Sequence, residues 1–331
     1  MKISAQSEEA KEVNLLFSGL QVYFVSKLNA LALKFGEGKS CKSVMWECDK
    51  GKHGGGKGYE ARDKSLFNQA SVYVSEIHYE DKKNKALECA SVFSATIHPH
   101  NPHVPSLHLS VSWEKMKEEK ACWYLMADLN PSILNEATLD QSIFSETVKK
   151  ATGRFYEEGI LKGDSYFYIP EVRRHRGVCH YYLEGYNSKK LEEEKALILA
   201  FYESLIDCYV DIFSAKLMLQ PIYTEEKKKE QLAYHTLYFF QVLTRDRATT
   251  SALLEHDQND LAVLASLPSP INRDILSLWG EKMTAPQDLL LKQILKALPK
   301  AVPTPVDEKC KKRLANILRK HYKKYPEALN M

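Results

Sequence analysis

Apolar residues recur at alternating steps of three and four through residues 9–35, at Val13, Phe17, Leu20, Phe24, Leu28, Leu31 and Phe35, which places them on one stripe of a long helix. From residue 70 the period changes to two. ASVYVSEI (70–77), SVFSATI (91–97), LHLSVSW (107–113), CWYLMADL (122–129), YFYI (166–169) and VCHYYL (178–183) alternate apolar and polar positions as half-buried strands do. Helical spacing returns over roughly 134–157 and over 187–217, where Leu197, Phe201, Leu205, Cys208 and Ile212 share a face. EEKKKE (225–230) reads as a solvated turn or helix face, and LYFFQVLT (237–244) as a further strand. The order is mixed rather than strictly strand–helix–strand, so the pattern predicts an α+β domain in which helices cover a meandering antiparallel sheet. GKHGGGKGYEARD (51–63) reads most simply as a flexible surface loop, and it lacks the spacing of a Walker loop. LPKAVPTPVD is a proline-rich linker, and KCKKRLANILRKHYKKY after it a short basic amphipathic helix, docked rather than reaching for nucleic acid. The expected organisation is one domain over residues 1–285, followed by linker and basic helix over 286–331.

Composition narrows the function without naming it. Of 331 residues, 44% are apolar, enough for a substantial core, and 46 Lys and Arg against 43 Asp and Glu give no global attraction to polyanions. Nucleic acid is therefore not an expected partner, although a locally basic site for an acidic small molecule is compatible with this balance. No stretch reads as a secretory signal or a membrane span, and seven dispersed cysteines without a C-x-x-C pair read as reduced thiols. The expected location is the cytoplasm.

The densest chemistry lies in ATIHPHNPHVPSLHLSVSW (95–113), with His98, His100, His103 and His108 among Pro99, Pro102 and Pro105. The prolines fix φ and remove backbone donors, so PHNPHVP is a stiff loop between two strands. Alternation puts Ser94, Thr96 and His98 on the polar face of the incoming strand, and His108, Ser110 and Ser112 on that of the outgoing one. His100 and His103 stay on the loop. The histidine spacing matches no standard zinc pattern, so no metal site is expected, and His108 is the candidate for proton transfer, with a structural histidine as the alternative. Asp128 ends the next strand and is read either as a hydrogen-bond acceptor or as a turn or cap residue.

With these residues in place, the chain resembles the oxygen-dependent coproporphyrinogen III oxidase family over about residues 10–280. IHPHNPHVP with His108 is similar to the family's central motif, and Ser94 stands at its substrate-contacting serine. Trp46 with GGGKGYEARDKSLFNQASVYVS, WYLMADLNP, RDR (245–247) and LASLP (264–268) resemble further family segments in order, and YFYIPEVRRHRGV is similar to YFYLKHRNEQRGIGG. The resemblance implies a large antiparallel sheet with helices on both faces, a homodimer, and oxidative decarboxylation of coproporphyrinogen III to protoporphyrinogen IX in haem biosynthesis. O2 would be the co-substrate, with no organic cofactor or required metal. By the same resemblance His108 and Asp128 are catalytic, Asp128 holding the pyrrole nitrogens, Ser94 is substrate-binding, and Arg176 matches a family arginine; His98, Ser110 and Ser112 join the substrate-binding candidates by their place on the polar strand faces, and Arg174 by its place in the basic cluster 173–176. The chain departs from the pattern at several positions. The family's His-x-Asn-x-Arg is His108, Ser110 and Ser112 here, its Gly-Gly-Arg aligns with Asp257, Gln258 and Asn259, and a glycine triplet is replaced by Leu125, Met126 and Ala127. Two histidines of bacterial members align near 144–146 and at Glu171. These departures leave two alternatives: a relative acting on another carboxylate substrate, or a non-catalytic protein that binds a tetrapyrrole or a partner.

Overall fold

Ser7 opens the first helix, its hydroxyl accepting from Ala10 N, and Glu8 and Glu9 complement the positive end of the helix dipole. In this computed structural model, which describes residues 3–255 and 260–330, that helix is α1 (Glu8–Phe35). It is long and apolar enough to span a bilayer, but its stripe of Val13, Phe17, Leu20, Phe24 and Leu28 is buried among strands and a second long helix. Asp257, Gln258 and Asn259 lie outside the described residues.

Among the described residues nine strands follow in chain order: β1 (Lys42–Glu47), β2 (Gly54–Glu60), β3 (Phe67–His78), β4 (Leu87–Pro99), β5 (Ser106–Met116), β6 (Cys122–Asn130), β7 (Tyr168–Ile169), β8 (Arg174–His175) and β9 (Cys179–Tyr186). Strands β1 to β6 and then β9 form one antiparallel sheet in that order, so six successive strands are joined as a meander. Helices α2 (Thr138–Thr152) and α3 (Tyr156–Phe167) precede β9, and α4 (Leu191–Leu219) follows it. The chain divides into two compact units, one of Met1–Phe167 with Gly177–Tyr223, the other of Tyr168–Arg176 with Thr224–Met331.

In the first unit, strand alternation sends Phe93, Ala95 and Ile97, Leu107, Leu109, Val111 and Trp113, and Trp123, Leu125, Ala127 and Leu129 into one apolar layer. Helices α1 and α4 cover it: Phe17 packs edge-on against Trp123, and Phe93 against Tyr202. Three polar tips within this layer find partners. Tyr202 Oη donates to Ser110 O at 2.6 Å, Tyr209 Oη to Pro105 O at 3.0 Å, and Trp123 Nε1 to Glu194 Oε2 at 2.8 Å. Helix α3 comes close to β9 because Gly159 and Gly163 leave room. A Cβ on Gly163 would lie 2.5 Å from the backbone oxygen of His180, which cannot swing away. Gly163→Ala should therefore cost about 1–3 kcal/mol, whereas Gly19→Ala, with open space at its Cβ on α1, should stabilise by about 0.5–1 kcal/mol. Urea midpoints of the two variants check the contrast; equal shifts would refute the close-approach argument.

Three segments differ from the sequence expectation. The glycine stretch is not a surface loop: Gly54–Glu60 is the strand β2, hydrogen-bonded between β1 and β3. Its glycines make room for rings, since a Cβ on Gly56 would meet Trp46 Nε1 at 2.2 Å, and one on Gly58 would meet the Tyr73 ring at 2.3 Å. LYFFQVLT is not a strand but the end of helix α5 (Glu225–Thr244), which Thr224 caps at Lys227 N. Every residue from Tyr234 to Thr244 is buried, so the apolar stripe that would mark a helix is lost in an apolar run. YFYI is divided as well: Tyr166 and Phe167 close α3, and only Tyr168–Ile169 is strand.

The second unit contains the β7–β8 hairpin, α5, α6 (Arg247–Glu255), α7 (Asp260–Val263), α8 (Arg273–Gly280), α9 (Gln287–Ala297) and α10 (Glu308–Lys324) around its own core. The segment from Pro286 to Leu329 contributes to this core. Cys310, Leu314, Leu318 and Tyr322 of α10 are buried in it, and the proline-rich stretch is tied down by reciprocal backbone bonds between Thr304 and Ile271. Burial pushes the His235 imidazole down from 6.5 to about 3, against a weaker opposing bond to the Pro270 backbone. Below about pH 6.5 the unfolded chain binds a proton there that the folded chain excludes, so stability present above that pH is lost as the pH falls towards 3. The loss through this group should reach about 2 kcal/mol at pH 5. Urea midpoints at pH 7 and 5 for the parent and His235→Leu test this: the variant should lack that part of the acid loss.

Candidate active site

The face of the sheet opposite α1 and α4 is polar, and cross-strand register arranges it in rows. One row runs Ser71, Thr96, His108, Asp128, His180; the next runs Tyr73, Ser94, Ser110, Met126, Tyr182. Ser112 stands in a third, between Val92 and Tyr124. Antiparallel pairing brings residues directly opposite to about 4.5–5.5 Å between Cα atoms, so the first row assembles ionisable side chains from three neighbouring strands.

His108 and Asp128 form the centre. Nδ1 of His108 lies 3.0 Å from Asp128 Oδ1, Asp128 is fully buried, and the His108 side chain retains 17% of its exposure. Asn130 donates through Nδ2 to the other carboxylate oxygen of Asp128 and, at 3.3 Å, to its backbone carbonyl. A carboxylate only accepts, so it holds the hydrogen of a neutral His108 ring on Nδ1 and makes Nε2 the basic nitrogen. This is the arrangement a proton-transferring histidine requires: an orienting carboxylate behind it and a part-exposed ring in front.

The other histidines of the proline-rich stretch stand apart from this pair. His98 is fully buried with Nδ1 3.0 Å from Ser106 Oγ, tying the end of β4 to the start of β5. On the loop, His103 Nδ1 lies 2.7 Å from Glu136 Oε2, and the His100 backbone donates to Leu66 O at 2.8 Å. Among the described residues no three His, Cys, Asp or Glu side chains converge as a metal site would require.

Ser94 and Ser110 are directly opposite one another, both half-buried, in the row beside His108. Ser112 Oγ donates to Glu114 Oε1 at 2.9 Å, and burial pushes the Glu114 carboxyl up despite that bond. The positions where the resembled family carries Asn and Arg thus offer hydroxyls, next to an acid. Arg174 and Arg176 fall in the second unit. Arg174 Nε donates to His175 O at 3.3 Å, while Arg176 is buried with its guanidinium 4.9 Å from the centre of the Tyr238 ring. Glu171 of that unit takes a two-pronged bond from Arg245, at 3.0 and 2.7 Å.

Register also reveals a residue that the sequence reading passed over. His180 stands opposite Asp128, 3% exposed, with Nδ1 2.8 Å from Asp164 Oδ1 and Nε2 accepting from Gly177 N at 3.2 Å. Those two bonds fix its hydrogen on Nδ1. Two signals for it exist in the sequence: the alternation of VCHYYL, and its place at the last glycine of the resembled YFYLKHRNEQRGIGG.

Comparison with known proteins bears on this arrangement. A family model described as coproporphyrinogen III oxidase matches residues 12–282. The chain is 25% identical over 248 residues to the human mitochondrial oxygen-dependent coproporphyrinogen-III oxidase, covering 67% of this chain and 53% of that protein. It is 26% identical over 278 residues to the Rattus norvegicus protein of the same name, covering 76% and 60%. It therefore spans between half and two thirds of the length of these relatives. The match includes the whole of the sheet that carries His108 and Asp128, and this chain belongs to the coproporphyrinogen III oxidase family.

Proposed function

We propose that this oxidoreductase catalyses the O2-dependent oxidative decarboxylation of coproporphyrinogen III to protoporphyrinogen IX. The observation that carries the reading is the 3.0 Å bond between His108 Nδ1 and the buried Asp128 carboxylate on the polar face. Each reacting propionate must lose CO2, one proton and two electrons to become vinyl. O2 takes the two electrons with two protons and leaves as hydrogen peroxide, and His108 Nε2 takes the proton from the propionate. Asp128 fixes the ring's tautomer and balances the positive charge that His108 gains on taking the proton. Ser94 and Ser110 supply hydroxyls beside this pair. The reading calls for no organic cofactor and no metal, and includes a cytoplasmic homodimer; seven free thiols suit a reducing compartment. The test is aerobic conversion of coproporphyrinogen III by purified protein, followed by fluorescence of the oxidised product. Absence of turnover would reject the reading.

A second reading is favoured by Ser110, Ser112 and Glu114 alone. Without a cation at these positions the face offers little to a tetracarboxylate, since charge-assisted bonds contribute about 1.5–3 kcal/mol each. A less anionic acid would then be the substrate. Turnover of such an acid, without a Soret shift on titration with coproporphyrin, would select it over the first.

A further inference from the structure

We propose that the exposed face of α10 is a docking surface for an anionic lipid bilayer. Residues 283–331 lie beyond the family match and carry eleven Lys and Arg against four Asp and Glu. Helix α10 buries Cys310, Leu314, Leu318 and Tyr322, and its opposite face exposes Lys309, Lys312, Arg313, Asn316, Lys320, Lys323 and Lys324. At helical spacing these positions span about a third of the circumference along roughly 25 Å of axis. Asn316 is the one uncharged residue among them.

Local structure does not account for this arrangement. Lys323 and Lys324 sit at the negative end of the helix dipole, which favours cations, and Lys324 also lies over the Tyr325 ring. Lys309, Lys312 and Arg313 stand in the first turns, where the dipole disfavours them. Lys309 is three and four residues from Lys312 and Arg313, and Lys320 is three and four from Lys323 and Lys324; like charges at those spacings repel. Arg313 spends one nitrogen on Ala297 O, but Lys309, Lys312, Lys320 and Lys323 form no ion pair among the described residues. An external anion would remove this repulsion.

The chemistry of the face favours a bilayer as that anion. It is an exposed helix face of flexible, strongly hydrated ammonium groups without an exposed aromatic or large apolar anchor, whereas a specific protein interface concentrates its energy in such anchors. Base-edge recognition needs forked or amide side chains in a groove, and here Asn316 and Arg313 are the two that could serve. A plane of anionic headgroups needs neither shape nor stacking, and attracts each lysine that approaches it.

Sedimentation of the full-length protein with lipid vesicles tests this without reference to catalysis. Vesicles of phosphatidylcholine with about one-third phosphatidylserine should retain the protein at low salt, and phosphatidylcholine alone should not. Retention should fall about tenfold or more as salt is raised. The triple variant Lys312→Glu, Lys320→Glu, Lys323→Glu should lower partitioning about 100-fold or more, with circular dichroism and thermal midpoint unchanged; the corresponding triple Arg variant should still bind. No retention by anionic vesicles, equal retention of the Glu variant, or preference for a duplex oligonucleotide or polyglutamate at the same salt would overturn the proposal.

Discussion

His108→Ala should lower the turnover of coproporphyrinogen III by about 10²–10⁴-fold while leaving tetrapyrrole binding within about tenfold of the parent. The proton that leaves with each propionate needs a base at the reacting carbon, and the part-exposed His108 ring is the group that the polar face offers with an orienting partner. The fold should tolerate the change. Asp128 keeps its bond from Asn130, and the side chain removed stands on the polar side of β5, opposite Leu107 and Leu109. Stopped-flow binding and steady-state turnover, measured on the same preparation, separate the two effects. Equal turnover by the variant would remove His108 from the chemistry, and an equal loss in binding and turnover would make it a substrate ligand instead.

Asp128→Asn should cost about 10³–10⁴-fold in turnover through a change in proton position rather than in shape. The asparagine amide can present N–H to Nδ1 of His108, which moves the ring hydrogen to Nε2 and leaves no basic nitrogen facing the substrate. The second oxygen remains an acceptor for Asn130. Nitrogen chemical shifts of labelled histidine should report the tautomer directly: Nδ1–H in the parent, Nε2–H in the variant. A variant with the parent's tautomer and lowered turnover would mean that Asp128 acts on the substrate and not through His108. A variant with full turnover would exclude both roles.

Much of the sheet was legible because its strands bury one face. Alternation in LHLSVSW and CWYLMADL identifies both the strands and the side on which His108 and Asp128 stand. What alternation cannot supply is register, and it is register that sets His108 opposite Asp128 and Asp128 opposite His180. His180 also stands at a glycine of the resembled segment, and motif comparison credits what is kept rather than what is gained. The glycine strand was illegible for another reason. Glycine is depleted in strands, and its presence in β2 follows from the rings of Trp46 and Tyr73 lying against it, which is tertiary information. In α5 the signal was present but divided: the Thr224 cap and acidic first turn mark a helix start, while complete burial erases the stripe that would carry it to Thr244.

The meander has a consequence for synthesis. His108 and Asp128 are twenty positions apart on the two arms of one hairpin, so bringing them together closes a short loop at small entropic cost. Strand β9, by contrast, reaches β6 only after two intervening helices and a hairpin that belongs to the other unit. Contacts of low sequence separation tend to form first. A nascent chain that has emerged through Asn130 therefore already contains both members of the central pair and the side chain that braces them, while His180 and the bonds that set its tautomer must await the next fifty residues.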